Sequence, residues 1–287
     1  MKNDFFNILN SRYNKMSKGQ KRIADYLLAN YQQASFMTAS ALGQTVGVSE
    51  STVVRFATEF GFEGYPDFQD NLREMMKMRL TSVERIEVAN RQMGNNDVYD
   101  KVLSLDIERI RATIENGNRE AFAGAVDAII SARKIYIVAS RSAAALAEFL
   151  KYYFSIIFED VKLLNNLGTS DLLQQLFRID EKDLVIGISF PRYSKQTTLA
   201  MNYAFDSHAS VIAITDSMLS PIAEHASHVL LAGSDMVSFV DSLVAPLSLI
   251  NALIVAVSLK KEEEINRNFE TLERLWDEFD VYEKSDK

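Results

Sequence analysis

The chain has 287 residues, 47% of them hydrophobic and 24% charged, with a formal net charge of −8 at pH 7. That length suits about two folded domains, since one domain usually takes about 100–200 residues. Cysteine is absent, which excludes disulfides and thiolate metal sites and favours a reducing compartment.

The N-terminal region differs in charge from the rest of the chain. Asp4 interrupts the apolar run that a signal peptide needs, so we expect a cytoplasmic protein. Residues 1–80 hold ten Lys or Arg and eight Asp or Glu, whereas the remaining residues hold 21 and 31. Five basic residues follow one another with no acid between them: Arg12, Lys15, Lys18, Lys21 and Arg22. Such a cluster is either a solvated face or the footprint of a nucleic-acid-binding head.

Residues 17–77 predict four or five short helices. Ser17 and Thr38 are typical N-caps, and Gly47 supplies the left-handed residue that ends the second helix. Ser49 then caps a third helix in the stretch VSESTVVRFATEFGF. The apolar residues of this helix recur at the spacing of a core stripe: Val53, Phe56, Ala57 and Phe60. The segment GFEGYP ends it, and DFQDNLREMMKMRL begins another.

The opposite face of the third helix carries small hydroxyl side chains and a single basic residue, Arg55. A helix that enters the major groove, about 12 Å wide, needs such a face, because Ser and Thr bond base edges or phosphates and Arg grips guanine. Two helices joined by a short Gly-containing turn form a helix-turn-helix. A plain three-helix packing or protein-docking domain is the alternative. The residues expected to contact DNA are Lys18, Arg22, Ser49, Ser51, Thr52 and Arg55.

A polar connector precedes a change of pattern. Residues 78–100 are polar, and the amphipathic segment KVLSLDIERIRATIENG after them carries one stripe: Leu103, Ile107, Ile110 and Ile114. From about residue 133, short runs rich in Val, Ile and Leu alternate with helical segments, which predicts a parallel sheet covered on both faces. Strands are expected at 134–139, 161–164, 183–189, 210–215 and 228–232.

Two apolar segments end the chain. LVAPLSLINALIVAVSL, 243–259, contains Pro246 and Asn251, so we interpret it as a buried helix and not as a membrane span. The next helix carries an apolar stripe that must be covered, either by its own domain or by a partner subunit. This stripe consists of Ile265, Phe269, Leu272, Trp276 and Phe279.

Two hydroxyl-rich loops come after strand ends and open helices: SRSAAALAEF after the first strand and SFPRYSKQTT after the third. The carboxyl ends of parallel strands and the N-termini of helices favour anions. The serines there either surround a phosphate, which Arg141 or Arg192 neutralises, or simply cap the helices. The hydroxyls concerned are Ser140, Ser142, Ser189, Ser194 and Thr197.

No pattern indicates catalysis. His208, His225 and His228 lack the spacing of metal ligands, so we expect no metal, no cofactor and no catalytic residue. Asp216, at a strand end, is either catalytic or a loop cap. The sequence has no Gly-x-Ser-x-Gly elbow, P-loop or dinucleotide fingerprint.

The segment that begins SKGQKRIADYLLANY and ends GYPDFQDNLR resembles the N-terminal helix-turn-helix domain of the RpiR-type bacterial transcriptional regulators, above all in GVSESTVVRF and GFEGYPDF. The strand-rich region C-terminal to it is similar to the SIS (sugar isomerase) domain with which these regulators sense phosphosugars. The resemblance implies an N-terminal all-α helix-turn-helix domain and a C-terminal α/β SIS domain with a parallel sheet of about five strands flanked by helices. We expect the DNA-binding domain at 1–77, a helical linker at 78–105, and the SIS domain with its C-terminal amphipathic helix at 106–287.

SIS domains place the ligand phosphate between a Ser in the first βα loop and a Ser-x-Ser-Gly-x-Thr-like segment in a later one. The matching positions are Ser142 and the segment SFPRYS, with Ser189 and Ser194 in the outer hydroxyl places.

The sequence departs from the SIS pattern twice. Ala139 and Ser140 stand where glycines are common, and Pro191 and Arg192 replace a Ser-Gly pair. Arg192 and Tyr193 then either narrow the pocket or add a group that binds a carboxylate.

The resemblance implies a homodimeric or homotetrameric regulator that binds a palindromic double-stranded DNA operator and a phosphosugar-like effector, with no membrane partner. The alternative is an SIS-fold sugar-phosphate isomerase with an accessory N-terminal domain, for which the sequence offers no obvious proton-abstracting base. A third interpretation is a sensor that binds a protein instead of DNA.

Overall fold

The computed structural model describes residues 5–79, 81–93, 97–235 and 240–283. The chain divides into two compact units, Met1–Glu84 and Arg85–Lys287. The first is helical and the second contains a five-stranded sheet, which confirms the predicted fold class. The three-part division at residues 77 and 105 stays a prediction.

The described residues of the first unit form five α-helices: α1 (Phe5–Arg12), α2 (Lys18–Ala34), α3 (Ala39–Val46), α4 (Glu50–Glu59) and α5 (Tyr65–Arg79). Their ends agree with the predicted caps. Ser17 forms a reciprocal capping box with Gln20 at the start of α2, and the Thr38 hydroxyl accepts the N–H of Ala41 at 3.1 Å. Gly47 ends α3 with a φ of +70°.

An aromatic cluster holds these helices together. The ring of Phe68 on α5 meets those of Phe5, Phe56 and Phe62 edge to face, at centroid distances between 5.1 and 6.2 Å. Each such pair contributes about 0.5–1.5 kcal/mol beyond the area it buries. The predicted inward stripe of α4 is confirmed, since the core encloses Val53, Phe56 and Ala57 and contacts the half-buried Phe60.

The helix α6 (Ser82–Met93) spans the boundary between the two units, and α7 (Val98–Glu115) and α8 (Arg119–Ser131) come after it. The α/β region then contains, in chain order, β1 (Lys134–Ala139), α9 (Ala144–Ile157), β2 (Val161–Asn165), α10 (Thr169–Leu176), β3 (Asp183–Ile188), α11 (Lys195–Asp206), β4 (Ser210–Thr215), β5 (His228–Leu231), α12 (Val244–Lys260) and α13 (Glu262–Glu278).

The five strands form one parallel sheet in the order β2, β1, β3, β4, β5. One apolar cluster fills the space between the sheet and α8, α9 and α12, and a second lies against α10 and α11. The three central strands, β1, β3 and β4, are buried along almost their whole length, as expected for strands covered on both faces. The direction of winding reverses between β1 and β3, because β1 leads to one edge of the sheet and β3 to the other. Open α/β sheets bind ligands at this kind of switch point.

The helices around the sheet bury different faces. α12 is the buried helix predicted for 243–259, with Ile250, Leu253 and Val257 in the core. α13 buries no residue fully, although Ile265 packs against the core. Within the described ranges, no single helix is long and apolar enough to cross a membrane, whereas α12 and α13, which meet at 98°, pass that test only when taken together.

Candidate functional site

The turn between α3 and α4 brings two backbone segments into close contact. The N–H of Val48 donates to the carbonyl oxygen of Gly43 at 2.9 Å, and a Cβ on Gly43 would lie 2.9 Å from the carbonyl oxygen of Val48. Glycine at position 43 therefore permits the close approach of α3 to the turn that leads into α4. Arg22 of α2 bonds to the same turn, because its Nη1 donates to the Gly47 carbonyl oxygen at 3.2 Å.

The first turn of α4 presents a connected set of hydroxyls. Ser49 Oγ accepts the N–H of Thr52 at 3.3 Å and lies 2.9 Å from Ser51 Oγ and 2.8 Å from Thr52 Oγ1. The cap residue Ser49 and two of the predicted DNA contacts, Ser51 and Thr52, thus form one hydrogen-bonded cluster. Glu50 beside them is an acid in a helix's first turn, where the helix dipole favours it.

Arg55 is exposed one turn further along α4. Within the described part of the chain its guanidinium has no hydrogen-bond or ion-pair partner, and the nearby carboxylate of Glu59 instead accepts from Gln20 Nε2. Lys18 is also exposed, on the first turn of α2. These side chains face solvent together with the hydroxyls, which is the arrangement that a groove-binding face requires.

The two hydroxyl-rich loops adjoin at the carboxyl edge of the sheet. Ala139 at the end of β1 is in register with Ile188 at the end of β3, so Ser140 and Ser189 come directly after neighbouring strands. Ser140 Oγ lies 3.5 Å from Oε1 of Gln196 on α11. The loop after β1 and the loop after β3 therefore meet at the switch point of the sheet.

The serines of the β3–α11 loop fix its shape. Ser189 is buried, and its Oγ accepts the N–H of Ser194 at 3.0 Å. The Ser194 hydroxyl in turn accepts the N–H of Thr197 at 3.3 Å, which caps α11. Ser194 thus has the helix-capping role that was one alternative for these serines, and its side chain is half-exposed.

The other predicted effector contacts differ in exposure. Thr197 is fully buried, and its Oγ1 has no hydrogen-bond partner among the described residues. Arg141 and Ser142 are exposed on a single 3-10 turn before α9. Arg141 has a φ of +60°, and its N–H donates to Asn166 Oδ1 at 3.2 Å. This bond ties the β1–α9 loop to the end of β2.

Side chains from other elements also bond to the β3–α11 loop. The Tyr193 hydroxyl donates to Asp216 Oδ1 at 2.9 Å, which joins this loop to the residue that follows β4. Arg85 of α6 donates to the carbonyl oxygen of Pro191 at 3.0 Å. No local pattern could identify Arg85, because 106 residues separate it from its acceptor.

Two family models match the chain. One describes a helix-turn-helix domain of the rpiR family and covers residues 4–78; the other describes the SIS domain and covers residues 128–256. An HTH-type transcriptional regulator of Haemophilus influenzae is 26% identical over 269 residues, which are 90% of this chain and 92% of that protein.

Solved structures share the same architecture. The sugar isomerase domain of an RpiR transcription factor from Sphaerobacter thermophilus is 29% identical, with a TM-score of 0.60, over 62% of this chain and 99% of that one. The Vibrio vulnificus NanR protein complexed with ManNAc-6P is 22% identical, with a TM-score of 0.59, over 94% of this chain and 97% of that one. The similarity to the NanR protein shows a shared fold.

Proposed function

The chain belongs to the rpiR family of helix-turn-helix transcriptional regulators, and we propose that a phosphorylated sugar or a related phosphorylated metabolite is its effector. The observation that carries this proposal is the meeting of the β1–α9 and β3–α11 loops at the switch point of the sheet. The sugar phosphate ManNAc-6P bound by NanR supports the same ligand class.

The chemistry of the two loops favours an anion. α11 begins at this edge, and the free N–H groups of a helix's first turn attract negative charge. Arg141 and Arg192 bring positive charge to the same loops, and a guanidinium forms paired hydrogen bonds with phosphate oxygens. Hydroxyls of Ser140, Ser142, Ser189 and Ser194 complete the proposed set with donors for the remaining oxygens.

For DNA, we propose that α4 enters the major groove and that Ser51, Thr52 and Arg55 contact base edges or phosphates. The exposed guanidinium of Arg55 and the cluster of hydroxyls around Ser49 support this assignment. Lys18 and Arg22 on α2 would then contact the flanking phosphates. Because the chromosome of a bacterium lies in the cytoplasm, we propose that the protein acts there.

A homodimer on a palindromic operator is proposed from exposed apolar residues of the second unit. We call the exposed apolar side chains of α7 and α12 the α7–α12 surface; it includes Leu103, Ile107, Ile114, Val244, Val255 and Leu259. A cavity of about 240 Å³ lies between the two helices. A large exposed apolar patch marks an interaction site, and a second copy of the chain would supply the symmetry that a palindrome requires.

Thermal denaturation of the full chain tests the effector proposal. A ligand present at 100 times its Kd stabilises the native state by about 2.7 kcal/mol, so a binding sugar phosphate raises the melting temperature. The panel contains ManNAc-6P, glucose 6-phosphate and fructose 6-phosphate, with inorganic phosphate and the unphosphorylated sugars as controls. We expect a shift with a sugar phosphate that neither control gives. A shift absent throughout the panel contradicts the proposal, and turnover of the sugar phosphates would favour the isomerase instead.

A further inference from the structure

Arg85 lies buried in the first turns of α6 and binds two different segments of the second unit. Its Nη1 is 2.7 Å from Oδ1 of Asp241, with the two side chains only 8% and 17% exposed. Its Nη2 donates to the carbonyl oxygen of Pro191 at 3.0 Å. A single guanidinium therefore joins α6 to the β3–α11 loop.

The acceptor of that hydrogen bond lies inside the proposed effector site. Pro191 directly precedes Arg192, and Ser189 and Ser194 fix the loop on either side of it. A phosphate that binds Arg192 or the N–H groups of the serines would shift the peptide units next to Pro191. The Pro191 carbonyl is thus the point at which a change in the loop reaches Arg85.

Glu84, the residue before Arg85 on α6, bonds to residues of the first unit. Glu84 closes the start of the helix by accepting the N–H of Thr81 at 2.7 Å, and its other oxygen accepts from Gln32 Nε2 on α2 at 3.3 Å. Glu84 is the last residue of the first unit and Arg85 the first of the second. Consecutive residues of one helix therefore bond to the helical unit and to the effector loop.

We propose that Arg85 is the positioning residue through which effector occupancy of the β3–α11 loop is transmitted to α6 and from there to DNA binding. The inference rests on the proposed effector site. Arginine suits this role because its planar fork serves the Asp241 carboxylate and the Pro191 carbonyl at once, whereas the point charge of lysine does not. A buried guanidinium that lost one acceptor would be left with an unsatisfied donor, so α6 follows the loop.

The structural half of the proposal is tested by hydrogen exchange on the full chain without added ligand. The variants are Arg85→Gln and Arg85→Lys, with Glu87→Gln as the matched control, because Glu87 is an exposed charge on the same helix. In Arg85→Gln we expect faster exchange both in α6 and in residues 189–194, with the strand amides of β3 unchanged. Wild-type exchange at 189–194 would overturn the proposal.

The regulatory half is tested by the affinity for operator DNA with and without ManNAc-6P, glucose 6-phosphate or inorganic phosphate. Coupling between two sites typically changes affinity by about 5–150-fold. We expect Arg85→Lys to keep the binding of the probe, measured by calorimetry, and to lose most of its effect on DNA affinity, whereas Glu87→Gln keeps both. A wild-type response in Arg85→Lys would overturn the proposal. If no probe binds the wild type, the proposed effector fails, and hydrogen exchange alone decides whether Arg85 links α6 to the loop.

Discussion

Single hydroxyls in this protein combine a structural bond with a position suited to ligand binding. Ser49 caps α4 and contacts the hydroxyls of Ser51 and Thr52, and Ser194 caps α11 beside the buried Ser189. A hydroxyl both donates and accepts, so a cap that uses one lone pair keeps its proton for a partner. Substitution of these residues therefore affects both stability and binding, and each effect needs its own measurement.

Arg55→Ala is expected to weaken specific DNA binding by about 1–3 kcal/mol, if the guanidinium contacts a base. Anisotropy titrations with operator and with random DNA measure the loss. An equal loss on both DNAs indicates a phosphate contact. Arg178→Ala, which removes an exposed guanidinium from the second unit, is the control and should bind as the wild type does. Unchanged binding by Arg55→Ala would contradict the recognition role of α4.

Ser189→Ala combined with Ser194→Ala is expected to lower the affinity for the sugar phosphate at least about tenfold, since a hydrogen bond to a charged group contributes about 1.5–3 kcal/mol. DNA binding without the sugar phosphate should persist. Thr198→Ala is the matched control, because that hydroxyl donates only to the Ser194 carbonyl at 3.1 Å. Calorimetry measures both variants. Wild-type affinity in the double variant would leave Ser194 with helix capping alone and Ser189 with its bond to the Ser194 N–H.

The stability of the first unit is expected to depend on pH through the hydroxyl of Tyr65. Burial raises the pKa of its hydroxyl from 10.0 to about 12, against a smaller opposing effect of Arg73. The unfolded chain ionises first, so the stabilisation is complete below pH 10 and declines as the pH rises towards 12. Denaturant titrations should show the stability difference between wild type and Tyr65→Phe constant below pH 10 and smaller above it. A difference that does not change with pH would contradict this assignment.

Helix ends were predictable from the sequence because their determinants are local. Ser17, Thr38 and Ser49 each bond a backbone N–H three residues on, and Gly47 adopts the left-handed conformation that its position suggested. The strands were equally evident, since a run of β-branched residues bounded by turns is a local pattern.

Contacts between distant segments were not predictable. α7 has an apolar stripe, yet three of its residues, Leu103, Ile107 and Ile114, are exposed. Arg109 of the same helix is buried instead, and its Nη1 lies 2.9 Å from Asp106 Oδ1. Ser242 donates to the same carboxylate at 2.6 Å from a loop 136 residues away. Amphipathicity identifies the two sides of a helix, but which side meets the sheet depends on partners that no local pattern contains.

Gly47→Ala is expected to destabilise the first unit by about 1–2 kcal/mol, the cost of a Cβ in the left-handed conformation. Gly19→Ala is the matched control, because its Cβ would meet Val48 and Thr52 at ordinary contact distances of 3.5 and 3.7 Å, with the helical conformation retained. Denaturant unfolding followed by circular dichroism compares them. Equal stabilities of the two variants would show that the turn adapts without strain.

At the scale of the whole molecule, charge and hydrophobicity are divided between the two units. The first unit carries the basic cluster and the candidate DNA-binding face, and the second is acidic and exposes the apolar residues of the α7–α12 surface. An acidic second unit repels DNA, which restricts contacts to the first. Pairing of two α7–α12 surfaces would bury their apolar side chains and supply the second DNA-binding head.

Val255→Asp combined with Leu259→Asp is expected to dissociate the homodimer, because both side chains are more than half exposed on the α7–α12 surface, where a partner would bury the new carboxylates. Light scattering after gel filtration should give a mass near the 32.4 kDa of one chain for this variant and a larger mass for the wild type. Phe177→Asp, at an apolar residue with 59% exposure on another face, is the control and should keep the wild-type mass. Dissociation should also weaken binding to an operator with two half-sites about 34–36 Å apart far more than binding to a single half-site. A variant that keeps the wild-type mass, or a wild type that is already a single chain, would exclude this surface as the dimer interface.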